Sequence, residues 1–493
     1  MSNSSSSDSI TKIGFVTVNG DASFSYSSNM FCSDGVDPLP TITGSPGGVF
    51  SSTTGLVINQ TSGLIDISAS TSGVYTVTYT TSSAGCSDSD TWTINLKTFG
   101  NVYVDDFEGA ETNIDLKDNL SWKLSSVPVN VKGSEFGVDD LRLGHYRAKL
   151  AWYNIDPIFY TRQRPSEIDD NELSKNETRR IFIDEIFPQQ DLIEGQSRIQ
   201  NTFDLNYIPI EKGPYNNIEN SLFLKNTENN WAGITRKINT TNFEQSNVEF
   251  IQFWLLDTFE ENSSSENFLG NLVFNLGSIS EDILKDGKKL YENGLPTQNS
   301  QQIINNSSWG ISPATQSLVY TFDSDANNRS VQDLGYDGLN DQDESEKYFN
   351  GPNSDPAGDN YQYYLNTQGG ILNRYKNYNG TQGNSPVSIN DGNRGSTTVP
   401  DTEDVNQDNT MNTIDSYFEY RIPIKKNMDV GNHPFISDVR DNVKVELPNG
   451  QTKTTRWIQF KIPVFKQFYK SSKYSSYFNA CLLYTSPSPR DRG

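Results

Sequence analysis

Short segments of β-branched and aromatic residues, separated by turn-forming residues, recur through the N-terminal part of the chain. Val, Ile, Thr and Tyr favour extended backbone, whereas Gly, Pro, Ser and Asp mark turns. Strands this short and closely spaced are typical of antiparallel sheets. We therefore predict a small antiparallel β-sandwich over residues 13–97, with strands at Gly14–Val18, Gly55–Ile58, Leu64–Ser68, Val74–Thr80 and Thr91–Leu96.

The composition of the whole chain extends this prediction to an all-β, multi-domain protein. The sequence has 24 Tyr and 26 Phe against 4 Met, a balance that favours strands over helices. Its 493 residues are enough for about two to four domains. The formal net charge of -23 repels nucleic acid, so we expect no nucleic-acid partner, while the carboxylates suit hard cations such as calcium.

Few residues of the chain are suited to catalysis. The only histidines are His145 and His433, and there are three Cys, which argues against zinc chemistry and His-based triads. Asp184 and Glu185 are adjacent, so in a strand they would point to opposite faces instead of forming a catalytic pair. We expect no enzyme activity, and no cofactor other than structural calcium.

Two cysteines lie near the ends of the predicted sandwich. A disulfide between Cys32 and Cys86 would tie its sheets together outside the cytoplasm, and two free thiols are the alternative. The run FCSDGVDPLPTITGSPGGVFSSTTGLVINQTSGLIDISAS resembles the Ig-like repeats of flavobacterial surface adhesins. This resemblance implies a spacer or an adhesive module.

The composition changes near Phe99, where aromatic and charged residues become more frequent and Ser, Thr and Gly become rarer. We place a domain boundary at residue 98. Residues 1–12 lack the basic and apolar parts of a signal peptide and are expected to be a disordered leader. At the other end, Cys481–Asp491 resembles a translated sequencing adapter, so residues 465–493 are expected to be disordered or foreign to the natural protein. The junction near residue 98 is open to the same interpretation.

Long strings of the central sequence carry a family resemblance: NVYVDDFEGAETNIDL, AKLAWYNIDPIFY, QDLGYDGLNDQDE, DPAGDNYQYY and WIQFKIPV. Their order and wording resemble an internal part of the SprA/Sov family of Bacteroidetes, over about residues 101–464. That family implies an outer-membrane translocon of the type IX secretion system, which exports proteins and supports gliding motility. The chain would then be a non-catalytic structural fragment of it, at the outer membrane, the cell surface or in the periplasm. Its expected partners are other secretion components and secreted cargo.

Local patterns divide this central part into two predicted regions. Residues 98–295 are expected to form a jelly-roll-like β-sandwich, with strands at Val248–Leu255 and Asn271–Gly277 and a short helix at Ser280–Asp286. Residues 296–464 are expected to form a second β-rich region with acidic loops.

An alternative function is that of a carbohydrate-binding or adhesive cell-surface protein, with glycans as partners. Aromatic rings stack on sugars, and the candidates are Trp122, Trp152, Trp231 and Trp254. Tryptophans of this kind are more often part of a hydrophobic core.

The sharpest local motif is the acidic segment that begins at Asp404. Counted from that residue, oxygen-bearing side chains recur at the spacing of an EF-hand-type calcium loop, with a backbone carbonyl at the seventh position. Asn409 replaces the usual turn glycine, and an Asp replaces the final Glu. The predicted ligands are Asp404, Asn406, Asp408, Thr410, Asn412 and Asp415. A solvated acidic turn is the alternative.

Two further acidic clusters are weaker calcium candidates. One comprises Asp333, Asp337, Asn340, Asp341, Asp343 and Glu344, which we expect to form an acidic loop. The other comprises Asp105, Asp106 and Glu108.

Overall fold

The structure is a computed structural model of the 493-residue chain. Its described residues form two compact units, within residues 1–111 and 112–493, and strands predominate in both, which confirms the all-β, multi-domain prediction. The predictions for residues 1–12, for the strand Gly14–Val18 and for Asp105, Asp106 and Glu108 concern residues outside the described ones. The structure describes residues 21–32, 36–71, 73–83, 86–97, 114–190, 192, 195–225, 227–239, 248–257, 268–293, 295, 304–315, 318–348, 354–388, 390, 392, 394–464 and 480–487.

The strands of the first unit are β1 (Phe24–Ser25), β2 (Met30–Cys32), β3 (Thr41–Ile42), β4 (Val49–Ser52), β5 (Val57–Ile58), β6 (Ile65–Asp66), β7 (Gly73–Ser83) and β8 (Cys86–Lys97). A four-stranded sheet has the order β2-β8-β7-β4, and β1-β3 and β5-β6 pair separately. Along β7, Tyr75, Val77 and Tyr79 are buried while Val74 is exposed, because successive side chains of a strand point to opposite faces. This alternation confirms the strand predicted at Val74–Thr80.

The strand register separates the two cysteines of the predicted disulfide. Strand β2 runs parallel to β8 with Cys32 opposite Lys97, and Cys86 begins the same 12-residue strand that Lys97 ends. At about 3.3 Å per residue, Cys86 lies roughly 36 Å along β8 from that position. A disulfide requires Cα atoms within about 7 Å. In this register the two Cα atoms lie well beyond that range, so a Cys32–Cys86 disulfide would require β2 to pair elsewhere.

The second unit contains more strands and a few short helices. Its strands are β9 (Lys123–Leu124), β10 (Ala148–Tyr153), β11 (Ile181–Phe182), β12 (Ile199–Gln200), β13 (Asp204–Lys212), β14 (Ala232–Lys237), β15 (Phe250–Leu256), β16 (Phe268–Ser278), β17 (Ile304–Asn306), β18 (Ile311–Pro313), β19 (Ser416–Lys425), β20 (Ile436–Glu446), β21 (Thr452–Pro463) and β22 (Ala480–Pro487). Its α-helices are α1 (Ile183–Ile186), α2 (Asn220–Lys225), α3 (Ala326–Arg329), α4 (Asp341–Tyr348) and α5 (Ile371–Tyr375). Single 3-10 turns lie at Asn119–Ser121, Leu141–Gly144, Pro157–Tyr160, Glu172–Ser174 and Thr227–Asn229. No described helix has the length and hydropathy needed to cross a membrane.

Two sheets of the second unit share its largest hydrophobic core. One has the order β19-β16-β22-β14-β9 and the other the order β15-β21-β20. The Phe253 ring of β15 stacks on Phe460 of β21 at 5.0 Å and contacts Phe274 of β16 at 5.6 Å between ring centroids. The two sheets are therefore the layers of one sandwich, and β15 and β16 confirm the strands predicted at Val248–Leu255 and Asn271–Gly277.

Strand pairs of the second unit cross the predicted boundary between residues 295 and 296. Strand β16 pairs with β19 along its length, and β15 pairs with β21, so hydrogen-bonded ladders join the two predicted regions. Residues 112–493 accordingly form one compact unit.

Residues 480–487 form β22, which lies between β14 and β16. Ordered structure there was not expected from the sequence. The prediction that this tail is foreign concerns the origin of its sequence, which strand pairing does not test.

The predicted helix at Ser280–Asp286 does not form. The Asp282 carboxylate accepts hydrogen bonds from the amides of Asp286 and Gly287, at 3.1 and 2.8 Å, and Lys285 has a left-handed φ of 56°. Side-chain acceptors here replace the carbonyl acceptors of a helix.

Candidate metal centre

Helix α4 carries the first part of an acidic site. The Asn340 side chain accepts hydrogen bonds from the amides of Gln342 and Asp343, both at 3.0 Å, and so caps the helix N-terminus. One turn further on, Glu344 faces inward and is 0% exposed. The segment predicted to be an acidic loop is therefore a helix from Asp341 onward.

A tight turn at residues 354–360 supplies the second part of the site. The Asp355 carboxylate accepts hydrogen bonds from the amides of Asp359 and Asn360, at 3.0 and 3.4 Å. Gly358, between Asp355 and Asp359, adopts a left-handed φ of 73°, which glycine tolerates best. The turn thus holds Asp355 by its own backbone.

Hydrogen bonds join the turn to the helix. The amide of Ala357 donates to Glu344 Oε2 at 2.9 Å, and the Asn360 side-chain amide donates to both carboxylate oxygens of Asp341, at 3.0 and 3.2 Å. As a result, one carboxylate oxygen each from Asp341, Glu344 and Asp355 lies within 4.8 Å of the others. Across the ranges that the structure describes, this is the one such group of three.

The electrostatics of the site are those of crowded carboxylates. Burial, together with the charges of Asp337 and Asp359, raises the pKa of Glu344 to about 10. Burial also raises the pKa of Asp337, and that of Asp359, where the charges of Asp337 and Asp355 add to the effect. Like charges at close range disfavour ionisation. An arrangement of this kind favours a cation or protons.

The predicted calcium loop uses its carboxylates differently. Asp404 accepts hydrogen bonds from the amides of Asp408 and Asn409, at 3.1 and 2.9 Å. Asp415 accepts one from the Ser280 amide and forms an ion pair with Lys285, at 2.8 and 3.3 Å. The first and last predicted ligands thus bind amides and an ammonium group.

Hydrogen bonds to Glu281, a residue outside the loop, hold the middle of the same loop. The Glu281 carboxylate accepts hydrogen bonds from the amides of Asn406 and Asn412, at 3.0 and 2.9 Å, while the Thr410 amide and hydroxyl donate to Asp408 at 2.8 and 2.6 Å. Asn409 has the left-handed φ expected for the residue that replaces the turn glycine, 63°. Calcium binding by this loop stays a prediction.

The other acidic candidates serve separate parts of the fold. Asp333 accepts a hydrogen bond from the Ser385 amide at 2.8 Å, and Asp343 accepts one from the Asn340 side chain at 2.9 Å. Of the cluster predicted around Asp333–Glu344, only Asp341 and Glu344 belong to the group of three. Sequence reasoning missed Asp355 because this residue lies well beyond the acidic segment that contains Asp341 and Glu344. Its only local sequence signal is the turn-forming string DPAGDN.

The tryptophans considered for sugar stacking are mostly core residues. Trp122, Trp152 and Trp231 are 3%, 6% and 0% exposed. Trp254 is half-buried, with the Phe187 ring at 6.1 Å and the Arg440 guanidinium at 5.3 Å from its ring. A sugar ring has no access to the three buried indole faces.

One family model matches the part of the chain that holds this site. Residues 336–477 match SprA_N, described as a motility related/secretion protein. The match includes all three carboxylates and runs past Val464, where the resemblance noted in the sequence ends. No curated protein matches the chain. On this evidence the chain carries a segment that is similar to the SprA family of motility and secretion proteins.

Proposed function

We propose that this chain is a non-catalytic structural part of an SprA-type translocon that serves type IX protein secretion and gliding motility. The observation that carries the proposal is the match of residues 336–477 to a motility and secretion family. Its location would be the outer membrane, its periplasmic side or the cell surface. Its partners would be other secretion components and their cargo.

The fold supports extending this role beyond the matched residues. Strands β19 and β21 lie inside the match, and their partners β16 and β15 lie outside it. A sheet cannot form from half of its strands, so the matched segment and residues 250–278 belong to one structural unit. The proposal therefore concerns the second unit as a whole.

The placement of the acidic residues supports a structural role over a catalytic one. Asp404 accepts backbone amides on both of its carboxylate oxygens, and Glu185 is buried in an ion pair with Arg179 at 2.8 Å. Groups that are fully engaged in holding loops are poor proton donors and acceptors for a substrate.

Deletion of the gene in its native host tests the proposal. We expect loss of export of proteins that carry the type IX C-terminal signal, and loss of colony spreading, both restored by the intact gene. Wild-type export by the deletion strain would overturn the proposal. Normal export combined with reduced adhesion to glycan-coated surfaces would favour the adhesin alternative.

A further inference from the structure

We propose that Asp341, Glu344 and Asp355 bind a calcium ion that links helix α4 to the turn at residues 354–360. The three carboxylates come from two chain segments, and each contributes one oxygen to a group whose members lie within 4.8 Å of one another. Two oxygens that each bind one calcium at about 2.4 Å can be at most about 4.8 Å apart. The spacing therefore suits a single calcium ion between them.

Unpartnered buried oxygens provide a second observation. Among the described residues, Glu344 Oε1 and Asp359 Oδ1 have no hydrogen-bond partner, although their residues are 0% and 1% exposed. The other oxygen of each carboxylate accepts hydrogen bonds: Glu344 Oε2 from the Ala357 amide, and Asp359 Oδ2 from the hydroxyls of Tyr215 and Thr381, at 3.3 and 3.5 Å. Buried carboxylate oxygens without a donor are costly. A bound cation would give the unpartnered oxygen of Glu344 a partner and would attract the negatively charged carboxylate of Asp359.

The positive charges that the structure describes near these carboxylates do not pair with them directly. Within the described ranges, none of the carboxylates of Asp337, Asp341, Glu344, Asp355 and Asp359 forms an ion pair. The nearby ammonium groups are directed at carbonyls: Lys149 donates to Gly358 O at 3.3 Å and Lys347 to Ser307 O at 2.6 Å. A divalent ion would convert the mutual repulsion of the carboxylates into attraction.

The ligand set selects calcium over other ions. All three ligands are carboxylates, which hard cations prefer, and there is no His or Cys of the kind that zinc requires. Magnesium demands a shorter, strictly octahedral arrangement, whereas calcium accepts irregular sets completed by water. Asp355 also lines a cleft of about 420 Å³, from which water can complete the coordination.

The test is calorimetric titration of the full chain with calcium chloride after removal of divalent ions. We expect saturable binding with a Kd of roughly 0.1–1 mM, in the range of extracellular structural sites. Calcium at a hundredfold excess over this Kd should raise the unfolding temperature by roughly 3–8 °C relative to chelator. Magnesium at the same concentration should give a smaller shift.

Matched variants locate the ion. Asp341→Asn and Asp355→Asn, checked for native circular dichroism, should each weaken binding about tenfold or more. Asp343→Asn is the control, since it removes the same charge from an exposed position of the same helix. Asp408→Asn tests the loop at residues 404–415. Among the described residues, the Asp341 carboxylate accepts hydrogen bonds from the Asn360 side chain alone. We therefore expect Asp341→Asn to keep the native fold even if Asp355→Asn unfolds.

Three results would overturn the proposal. One is the absence of saturable calcium binding by the wild-type chain. Another is unchanged affinity in Asp341→Asn. The third is loss of binding in Asp408→Asn with retention in Asp341→Asn, which would assign the ion to the other loop.

Discussion

Arg179 and Glu185 form a buried ion pair through two parallel hydrogen bonds, from Nη1 to Oε1 at 2.9 Å and from Nη2 to Oε2 at 2.8 Å. Their side chains are 2% and 4% exposed. The Phe182 amide and Trp457 Nε1 also donate to this carboxylate, at 3.1 and 3.4 Å. Glu185 therefore connects the segment around β11 to strand β21 of the main core.

Loss of the Glu185 charge should destabilise the second unit strongly. Glu185→Gln leaves the Arg179 guanidinium buried without its counter-ion, which typically costs about 3–5 kcal/mol of unfolding free energy. The adjacent Asp184 pairs with Arg198 at 3.1 Å, but both side chains are exposed. Asp184→Asn should change the stability by less than about 1 kcal/mol. Urea unfolding of the two variants measures the difference, and equal effects would contradict the buried pairing.

Burial raises the pKa of Glu292 and of Glu403, which are hydrogen-bonded to each other. The charges of Asp286 and Asp282 add to the rise at Glu292, and the charge of Glu292 adds to it at Glu403. The folded state thus holds protons that the unfolded chain releases above about pH 4.5, the ordinary Glu value. Stability from this pair is fully present below that pH and is lost as the pH rises toward about 8, the pKa of Glu292.

We therefore expect the unfolding temperature in chelator to fall from pH 5 to pH 8. Between its unfolded-state and folded-state pKa values, one group changes the free energy of unfolding by about 1.4 kcal/mol per pH unit. Glu292→Gln, which retains the neutral form, should flatten the decline, while the exposed Glu446→Gln should leave it unchanged. The interpretation fails if Glu292→Gln has the same pH profile as the wild type.

The sequence revealed single strands better than the way they assemble. The alternation of Tyr75, Val77 and Tyr79 is a local signal with the period of a strand, and it predicted β7. The pairing of β16 with β19 places Gly277 opposite Tyr417, and no local pattern encodes a register between strands so far apart in the sequence. For this reason one unit was divided into two.

The candidate metal centre was predictable only in part, for the same reason. Asp341 and Glu344 lie one helical turn apart, so the sequence identified the acidic segment to which they belong. Asp355 joins them through the amide of Ala357 and the side chain of Asn360, and these are tertiary contacts. From Asp404 onward the sequence shows the spacing of a calcium loop. It does not show that Glu281, on a distant segment, accepts hydrogen bonds from backbone amides of that loop.

Gly310 lies where an added methyl group has no space. A Cβ there would lie 1.8 Å from the backbone carbonyl oxygen of Asp337, whereas a Cβ at Gly137 meets no atom within 4 Å. The same carbonyl accepts the Ile311 amide at 2.7 Å, so it cannot move freely. We expect Gly310→Ala to cost about 1–3 kcal/mol or more of unfolding free energy and Gly137→Ala to change it by less than about 0.5 kcal/mol. Thermal unfolding compares them, and a neutral Gly310→Ala would refute this close approach.

The parallel register of β2 and β8 makes a prediction about the first unit. Because Cys32 lies opposite Lys97 and Cys86 lies at the other end of β8, we expect both thiols to be free even in oxidising buffer. Alkylation of the denatured, unreduced chain followed by peptide mass spectrometry should find the alkyl group on Cys32 and on Cys86. The same digest after reduction is the control and should give an identical pattern. A linked peptide containing both residues would instead require β2 to pair elsewhere, since about 36 Å of strand cannot be spanned by one disulfide.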